Sequence, residues 1–401
     1  MNKTSLILVF IILIVMEGCG GGGKQTTDDL IKVDVTKNYS STKEMILQDF
    51  TDVEYIALET NDDFVNQGVV MDIGKEIILI KNEINDGNIF VYDRNGKAIR
   101  KINHKGQSPE EYTRISTIVL DDDNGEMFVY DSNLRKFFVY DLYGNIKRSF
   151  NHKSDVVSQQ FGNLSIKENT FYTEIFNYDN NNLICYNQFN AESVFVLLSK
   201  WDGNITKEIK IPFKEKKRLE QTHFDGEYIY VEHPGSFHPI IPYNGEWILL
   251  EISSDTVYSF LPDYNLCPFI VRTPSVQSMN PEIILILRLI SERYYFMETI
   301  SNEYSFDTRK GFPRIYFMYD KKEKTFRGCT VYNGDFLVKT EVGMDDFRTV
   351  NQDIGFYCIL QAYQLVEFYK KSELKDGRLK EIAATLDEED NPVIMLVKHK
   401  K

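Results

Sequence analysis

The chain has 401 residues, of which 42% are hydrophobic and 13% are aromatic, and its formal net charge at pH 7 is −14. This length is ample for a large core. An acidic body repels phosphate backbones, so the charge argues against a nucleic-acid partner. The five cysteines form no CxxC pair and have no metal-ligand spacing. Composition therefore indicates an acidic globular protein without a cysteine-based metal or redox site.

The N-terminal residues predict export and lipidation. An uninterrupted apolar run from Leu6 to Met16 is too short for a membrane-spanning helix, which requires about 20 residues, and is typical of a signal-peptide core. Met16-Glu17-Gly18-Cys19 is similar to a bacterial lipobox. We therefore expect a signal peptide at residues 1–18, a lipid on Cys19 and a flexible tether at residues 19–49. The alternative is an ordinary secretory peptide with an incidental cysteine.

A four-residue pattern recurs along the body of the chain. The copies are Phe90-Val-Tyr-Asp93, Phe128-Val-Tyr-Asp131, Phe138-Val-Tyr-Asp141 and Phe317-Met-Tyr-Asp320. A turn and a second short strand follow the pattern, as in a β-hairpin. Looser versions of the same unit extend the series of marker aspartates, which are Asp93, Asp141, Asp202, Asp263 and Asp320.

The spacing of the marker aspartates predicts the fold. They are about 57 residues apart on average, slightly more than the spacing typical of four-stranded propeller blades. About 350 residues follow the tether, which is room for about six such units. We therefore predict an all-β, six-bladed β-propeller at residues 50–401, with five units visible and the sixth assembled from both ends. A strand at Val53–Glu59 would pair with one at Asn391–Lys398, because a closed ring leaves no exposed sheet edge.

Three segments depart from strand periodicity. Pro281–Ile290 is compatible with a short helix that has proline in its first turn. Helical spacing also occurs at Tyr357–Lys371 and at Arg378–Leu386. We expect short helical insertions that pack on the ring.

The four cysteines of the body are Cys185, Cys267, Cys329 and Cys358. Each lies in an apolar segment, and they are tens of residues apart. An oxidising compartment would permit disulfides, but we favour small buried hydrophobic residues.

Three segments resemble the six-bladed β-propeller lipoproteins of Gram-negative gut bacteria, which are related to NHL-repeat propellers. Val53-Glu-Tyr-Ile-Ala-Leu-Glu-Thr60 is similar to the family's opening strand, Gly106-Gln-Ser-Pro-Glu-Glu-Tyr112 to its GxGPxEY turn, and Asp390-Asn-Pro-Val393 to its closing strand. The resemblance implies a propeller held by lipid in the cell envelope, at the periplasmic or surface face of the outer membrane. It transfers no catalytic residue.

The loop Gly106–Arg114 is one candidate ligand site. It joins two predicted blades and offers Glu111, Tyr112 and Arg114 at one rim of the ring, where loops can direct polar and aromatic groups at a ligand. The structural alternative places Tyr112 between blades and pairs Arg114 with Glu111 or a neighbour.

Two further segments contain residues of the types that bind metals. His223, His233 and His238 lie within sixteen residues of one another and could hold a transition metal, although an aromatic-rich loop accounts for them better. The acidic segment Asp121–Gly125 lacks the ligand spacing of a calcium loop and is better interpreted as a hairpin turn. We therefore assign no metal and no cofactor.

Function is predicted at the level of class. No GxSxG, HExxH or phosphate-binding glycine loop occurs in the chain. We therefore expect a binding propeller whose partners are the membrane, through its lipid, and a glycan, a peptide or an envelope protein. The alternative is a lyase or hydrolase with its active site at the channel mouth.

Overall fold

The computed structural model describes residues 30–39, 42–152, 156–161, 164–169, 171–352 and 354–400. The predicted signal peptide and Cys19 lie outside these residues. Within them, six blades of four antiparallel strands form a ring, which confirms the predicted all-β, six-bladed propeller. No helix in the described ranges is long and apolar enough to cross a membrane.

The N-terminal segment adds strands to three blades. Its elements are β1 (Ile31–Asp34), β2 (Lys43–Ile46), helix α1 (Leu47–Phe50) and β3 (Thr51–Ala57). The sequence assigns residues 19–49 to a flexible tether, but from residue 31 onwards the chain contains strands, and Val33 and Met45 are buried. Strands of four residues are too short to produce a recognisable alternation, so the sequence pattern does not reveal them.

The first three blades follow in chain order. Their elements are β4 (Val69–Ile73), β5 (Ile77–Lys81), β6 (Asn88–Asp93) and β7 (Ala98–Asn103); β8 (Thr117–Asp121), β9 (Glu126–Asp131), β10 (Lys136–Asp141) and β11 (Ile146–Asn151); the hairpin β12 (Val156–Phe161) and β13 (Leu164–Asn169); and β14 (Glu174–Asn177), β15 (Asn182–Tyr186), β16 (Phe195–Ser199) and β17 (Ile205–Ile209). The first strand of each blade lines the axis of the ring, since β4 contacts β8 and β8 contacts β14.

The last three blades carry longer insertions. Their elements are the hairpin β18 (Gln221–Phe224) and β19 (Ile229–Glu232); β20 (Ile240–Tyr243), β21 (Glu246–Leu249), β22 (Thr256–Phe260) and β23 (Leu266–Thr273); β24 (Ile283–Ile290), β25 (Tyr294–Ser301), the hairpin β26 (Tyr304–Ser305) and β27 (Lys310–Gly311), β28 (Arg314–Asp320) and β29 (Thr325–Tyr332); and β30 (Arg348–Thr349), β31 (Phe356–Leu360), helices α2 (Ala362–Lys370) and α3 (Arg378–Ala383), and β32 (Val393–His399). A single 3-10 turn at Val276–Ser278 precedes the fifth blade. Strand β1 pairs in parallel with β23, and β2 pairs in parallel with β29, on the outer edges of blades four and five.

One helix prediction is wrong and the other two are partly right. Pro281–Ile290 contains strand β24, whose last seven residues are all buried. An unbroken apolar run has no period, so the sequence cannot distinguish a strand covered on both faces from a buried helix. Tyr357–Lys371 divides into most of strand β31 and helix α2, and Arg378–Leu386 begins with α3.

The marker aspartates explain the repeat, because each stands at the turn between the third and fourth strands of its blade. Asp93 Oδ1 accepts hydrogen bonds from the backbone N–H groups of Asn95 (2.8 Å) and Lys97 (2.9 Å). Gly96 then takes a φ of +83°, and a Cβ there would lie 1.9 Å from the carbonyl oxygen of Ala57. Aspartate therefore fixes the turn, as it commonly does in tight turns. The same carboxylate-to-backbone bond occurs at Asp141, Asp202, Asp263 and Asp320.

The acidic segment Asp121–Gly125 forms the turn between β8 and β9, as expected. The side chain of Asp121 is buried and lies 2.6 Å from Nζ of Lys200, whose side chain is also only 2% exposed. Asn124 donates a second hydrogen bond to the same carboxylate at 2.9 Å. Because a buried charge without its partner costs about 3–5 kcal/mol, this ion pair fixes the second blade against the third.

Strand β3 closes the ring. It pairs antiparallel with β32 from Thr51 opposite His399 to Ala57 opposite Val393, and thus forms the outer strand of the sixth blade. An apolar cluster then joins the sixth blade to the first. Its members include Ile56, Ile394 and Leu396 on the closing strands and Val70, Ile80 and Phe90 in blade one.

Shortening a buried side chain of the closing strand β3 should destabilise the whole ring. Ile56 is 3% exposed, and Ile56→Ala should lower the free energy of unfolding by about 2–5 kcal/mol because it leaves a cavity between the sixth and first blades. The matched control is Ile99→Ala, on a side chain that is 42% exposed in β7, with an expected change of about 0.5 kcal/mol or less. Urea denaturation measures both. Equal losses in the two variants would contradict a structural role for the closing strand.

Candidate functional site

A cleft lies between the third and fourth blades. Its volume is about 370 Å³, and its walls come from the starts of β14 and β20 and from the ends of β15 and β21. These ends all lie on the face of the ring at which the chain enters each innermost strand, called here the entry face. Concave sites with several convergent polar groups are the usual form of ligand pockets.

The loop at residues 210–239, which carries the β18–β19 hairpin, forms one side of the cleft. It is attached to blade five by side-chain hydrogen bonds to its backbone. Asn302 Nδ2 donates to the carbonyl oxygen of Arg218 at 2.9 Å, and Arg288 Nη1 donates to that of Ser236 at 2.8 Å. In the other direction, Gln221 Nε2 donates a hydrogen bond to the carbonyl oxygen of Asn302 at 2.7 Å. The loop is therefore fixed across two blades.

An imidazole and a carboxylate meet at the junction of the two blades. His238 Nδ1 lies 2.7 Å from Oε1 of Glu174, and the other carboxylate oxygen accepts the backbone N–H of Ile240 at 2.9 Å. An ionised carboxylate only accepts hydrogen bonds, so Nδ1 carries the proton and Nε2 of the neutral ring is an acceptor. Nε2 is buried and has no hydrogen-bond partner among the described residues. A ligand group could supply that partner.

A buried carboxylate organises the opposite wall. Glu251 is fully buried, and its Oε2 accepts from Nζ of Lys216 at 2.7 Å and from the hydroxyl of Tyr186 at 3.1 Å. Its Oε1 accepts from the hydroxyl of Ser253 at 2.5 Å. Burial lowers the pKa of Lys216 from its ordinary value, and the charge of Glu251 opposes that shift. Each polar group of this wall is therefore held in a single orientation.

The rim of the cleft carries cations that are already paired. Lys217 lies 3.2 Å from a carboxylate oxygen of Glu282, and Arg218 lies 3.2 Å from one of Glu220. The Arg218 guanidinium also stands 5.4 Å from the centre of the Phe189 ring. Since positive and negative groups alternate beside an aromatic ring, the cleft suits a polar ligand better than a simple anion.

The three histidines singled out in the sequence do not meet. His233 and His238 both line the cleft, whereas His223 lies outside it, with its ring tilted against that of Phe306 at 5.3 Å between ring centres. In the parts of the chain that the structure covers, no group of three His, Cys, Asp or Glu side chains could hold a metal ion.

Tyr112 occupies the position that the structural alternative requires. Its side chain is fully buried in the cluster between blades one and two, where burial raises its pKa to about 12. The hydroxyl donates to the carbonyl of Gly87 at 2.8 Å and accepts from the backbone of His104 at 3.0 Å. A ligand on the rim cannot contact this ring without a rearrangement of the loop.

Glu111 and Arg114 lie beside Tyr112 but do not pair with each other in the described structure, which was one of the two pairings that the structural alternative allowed. Glu111 Oε2 accepts the backbone N–H of Ser108 at 2.9 Å, which lowers the pKa of the carboxyl group. Arg114 is exposed on a shallow depression of about 180 Å³, and its backbone N–H donates to Asp131 at 3.0 Å. The structure therefore gives this loop mainly intramolecular contacts.

The body cysteines are buried with one exception. Burial raises the pKa of Cys329 and of Cys358 to about 12, and it raises the pKa of Cys185 as well. Cys267 is partly exposed. The three buried thiols are therefore poor nucleophiles, since a reactive cysteine requires its thiolate form.

Sequence reasoning missed most of the cleft. Glu174, Lys216 and Glu251 belong to three separate segments and match no motif. The one signal was the charged run Lys214-Glu-Lys-Lys-Arg218 in a long stretch without strand pattern. Such runs are usually solvated, and only the fold shows that this one borders a cleft.

The family model described as "Domain of unknown function (DUF4934)" matches residues 30–398 of the chain. No curated protein matches this chain. Among solved structures, a protein of Bacteroides fragilis named "Putative exported protein" is 15% identical, with a TM-score of 0.56 over 93% of this chain and 99% of that one. A member of the duf4221 family from Bacteroides vulgatus is 10% identical, with a TM-score of 0.44 over 88% and 100%. At 15% identity, the first likeness shows a common fold.

The hydroxyl of Tyr112 should contribute to stability. Tyr112→Phe should lower the free energy of unfolding by about 1–3 kcal/mol, because it leaves the buried carbonyl of Gly87 without its donor. Arg114→Ala, on the exposed neighbour, serves as the control and should change stability by about 0.5 kcal/mol or less. Chemical denaturation measures both. If Tyr112→Phe is as stable as the unmodified chain, the interblade hydrogen bond has no structural role.

Proposed function

The chain belongs to the DUF4934 family, and we propose that it is a lipid-anchored, NHL-like propeller of the cell envelope that binds a polar ligand. The ligand is a peptide or a glycan, and it binds in the cleft between blades three and four. The observation that carries the proposal is the orientation of His238 by Glu174, with its buried Nε2 left without a partner among the described residues.

The proposed location depends on the N-terminal sequence. The apolar run, the small residue Gly18 and the acceptor Cys19 are the parts of a bacterial lipoprotein signal, and four glycines follow as the start of a tether. The B. fragilis neighbour is named as an exported protein, which supports the same compartment. We infer that the outer membrane holds the chain through its lipid, at the periplasmic or surface face.

The lipid anchor has a direct test. Cys19→Ser should abolish incorporation of an alkyne-labelled palmitate and move the chain from the membrane fraction to the soluble fraction. Cys267→Ser, which alters a partly exposed cysteine of the body, is the control and should leave labelling unchanged. If the unmodified chain takes up no label, the segment before Cys19 is an ordinary secretory peptide.

The chemistry of the cleft suits a ligand with several hydrogen-bonding groups. His238 offers an acceptor, Lys216 and Arg218 offer donors, and the Phe189 ring offers a flat apolar surface. Because these side chains are already fixed by internal partners, they lose little conformational entropy when a ligand binds. Peptides and glycans both combine polar groups with apolar faces.

An enzyme remains the second candidate, and one observation favours it. A histidine whose Nδ1 is held by a carboxylate is the usual arrangement of a general base, with Nε2 as the atom that takes the proton. In a lyase or hydrolase, His238 would accept that proton from the substrate or from a water molecule. No nucleophile adjacent to His238 completes a triad among the described residues.

Variants of the same pair should distinguish the two candidates. We expect Glu174→Gln and His238→Ala to weaken binding of any ligand found on peptide and glycan arrays by about tenfold or more, about 1.4 kcal/mol. The matched control is Glu208→Gln, on the exposed outer strand of the same blade, with unchanged affinity expected. If the unmodified chain converts the bound ligand to a product and His238→Ala abolishes that conversion, the protein is instead an enzyme. Equal affinities in all variants would exclude this cleft as the site.

A further inference from the structure

The face opposite the entry face holds a second concave region, where the axis of the ring opens. Its volume is about 340 Å³, and five of the six blades contribute to its walls. The lining side chains include Asp72 and Arg94 from blade one, Asn177 from blade three, Trp247 from blade four and Asn351 from blade six. This region is called here the channel mouth.

Hydrogen bonds between neighbouring inner strands fix the polar side chains of the channel mouth. The backbone N–H of Leu120 donates to the carboxylate of Asp72 at 2.8 Å. The backbone carbonyl of Leu120 accepts a hydrogen bond from Asn177 Nδ2 at 3.3 Å. Asn351 Nδ2 donates to the carbonyl of Ile73 at 2.8 Å. These bonds link blades six, one, two and three in sequence, so the site is built by the ring and is preorganised.

Two buried polar atoms of the channel mouth have no hydrogen-bond partner within the described ranges. They are Oδ1 of Asn177, an acceptor, and Nε of Arg94, a donor. Arg94 is itself held by a bond from Nη1 to the carbonyl of Gly74 at 2.7 Å. A buried polar atom without a partner is unfavourable, so a ligand that supplies both a donor and an acceptor would stabilise both atoms.

Asp72 adds a carboxyl group that can either accept or donate. Both of its oxygens accept backbone N–H groups, from Ile73 and Leu120, each at 2.8 Å. Burial nevertheless raises the pKa of Asp72 to about 7, and the charge of Asp122 adds to the shift. The carboxyl group therefore holds its proton to a higher pH than an ordinary aspartate does.

An aromatic wall stands beside these polar groups. The rings of Phe176 and Trp247 lie 5.8 Å apart and both line the channel mouth. Hydroxyl groups donate and accept at once, which suits Asn177, Arg94 and Asp72 together. The C–H face of a sugar ring is apolar and flat, and can pack against such a wall.

Charged ligands fit the channel mouth less well. The ammonium of Lys75 is paired with Asp123 at 2.9 Å, and its backbone N–H donates to Asp122 at 2.8 Å. Across the described residues, no three potential metal ligands converge. The guanidinium of Arg94 also opposes a cation.

We propose that the channel mouth is a second binding site, and that its ligand is a neutral polyhydroxylated ring, a monosaccharide or the end of an oligosaccharide. Asn177 accepts from one hydroxyl, Arg94 donates to another, and Phe176 and Trp247 bind the apolar face of the ring. This site is independent of the cleft between blades three and four.

Calorimetric titration of the full chain with a panel of neutral sugars tests the proposal, with Ca²⁺ and inorganic phosphate as the charged probes. We expect saturable binding of at least one sugar. Asn177→Ala and Arg94→Met should each weaken that binding by about tenfold or more. Asn181→Ala is the matched control: it removes an exposed amide at the turn after β14 and should leave affinity unchanged.

Arg94 is partly exposed, so Arg94→Met remains informative if Asn177→Ala fails to fold. The proposal is overturned if no neutral sugar binds, if Ca²⁺ or phosphate binds in place of sugars, or if sugar binding persists in both channel-mouth variants. Ligands of the cleft are scored separately through Glu174→Gln, so failure at one face leaves the other interpretation intact.

Discussion

The pairing of β3 with β32 is the constraint on which the rest of the molecule depends. Each blade covers an apolar face of the next, and the first and sixth blades can do so only if the two ends of the chain meet in one sheet. The N-terminal segment extends this closure, since β1 and β2 also join blades four and five. One stretch of about thirty residues thus contacts half of the ring, and β3 covers the edge that β32 would otherwise leave unpaired.

Closure of the ring also makes the two concave regions. The cleft joins Glu174 of blade three to His238 at the start of blade four, and the channel mouth joins inner strands of five blades. In both, side chains bond to the backbone of a neighbouring blade, so their orientations depend on the spacing of the blades. A propeller holds that spacing through its interblade clusters and through buried ion pairs such as Asp121 with Lys200. Ligand contact then requires little reorganisation.

Features that depend on contacts between residues close in sequence were predicted correctly, and most features that depend on distant residues were not. The aspartate turns were readable because Asp93 bonds to the backbone of residues two and four positions ahead. The apolar run of β24 has no period, so the sequence is compatible with a short helix where the chain forms a strand. The N-terminal strands were missed because they are four residues long, and they are stabilised by distant partners at residues 270–273 and 329–332. Tyr112 could be placed in either of two roles until the packing of blades one and two was known.

The sequence by itself determined the repeat, the number of blades and the strands that close the ring, because these features are written in local turn chemistry and in spacing along the chain. Only the tertiary structure decided which polar groups meet. Glu174 and His238 are 64 residues apart, and Asn177 and Asn351 lie in different halves of the chain. No local sequence pattern encodes these long-range contacts, because they form only when the closed ring brings the ends of separate inner strands to one face.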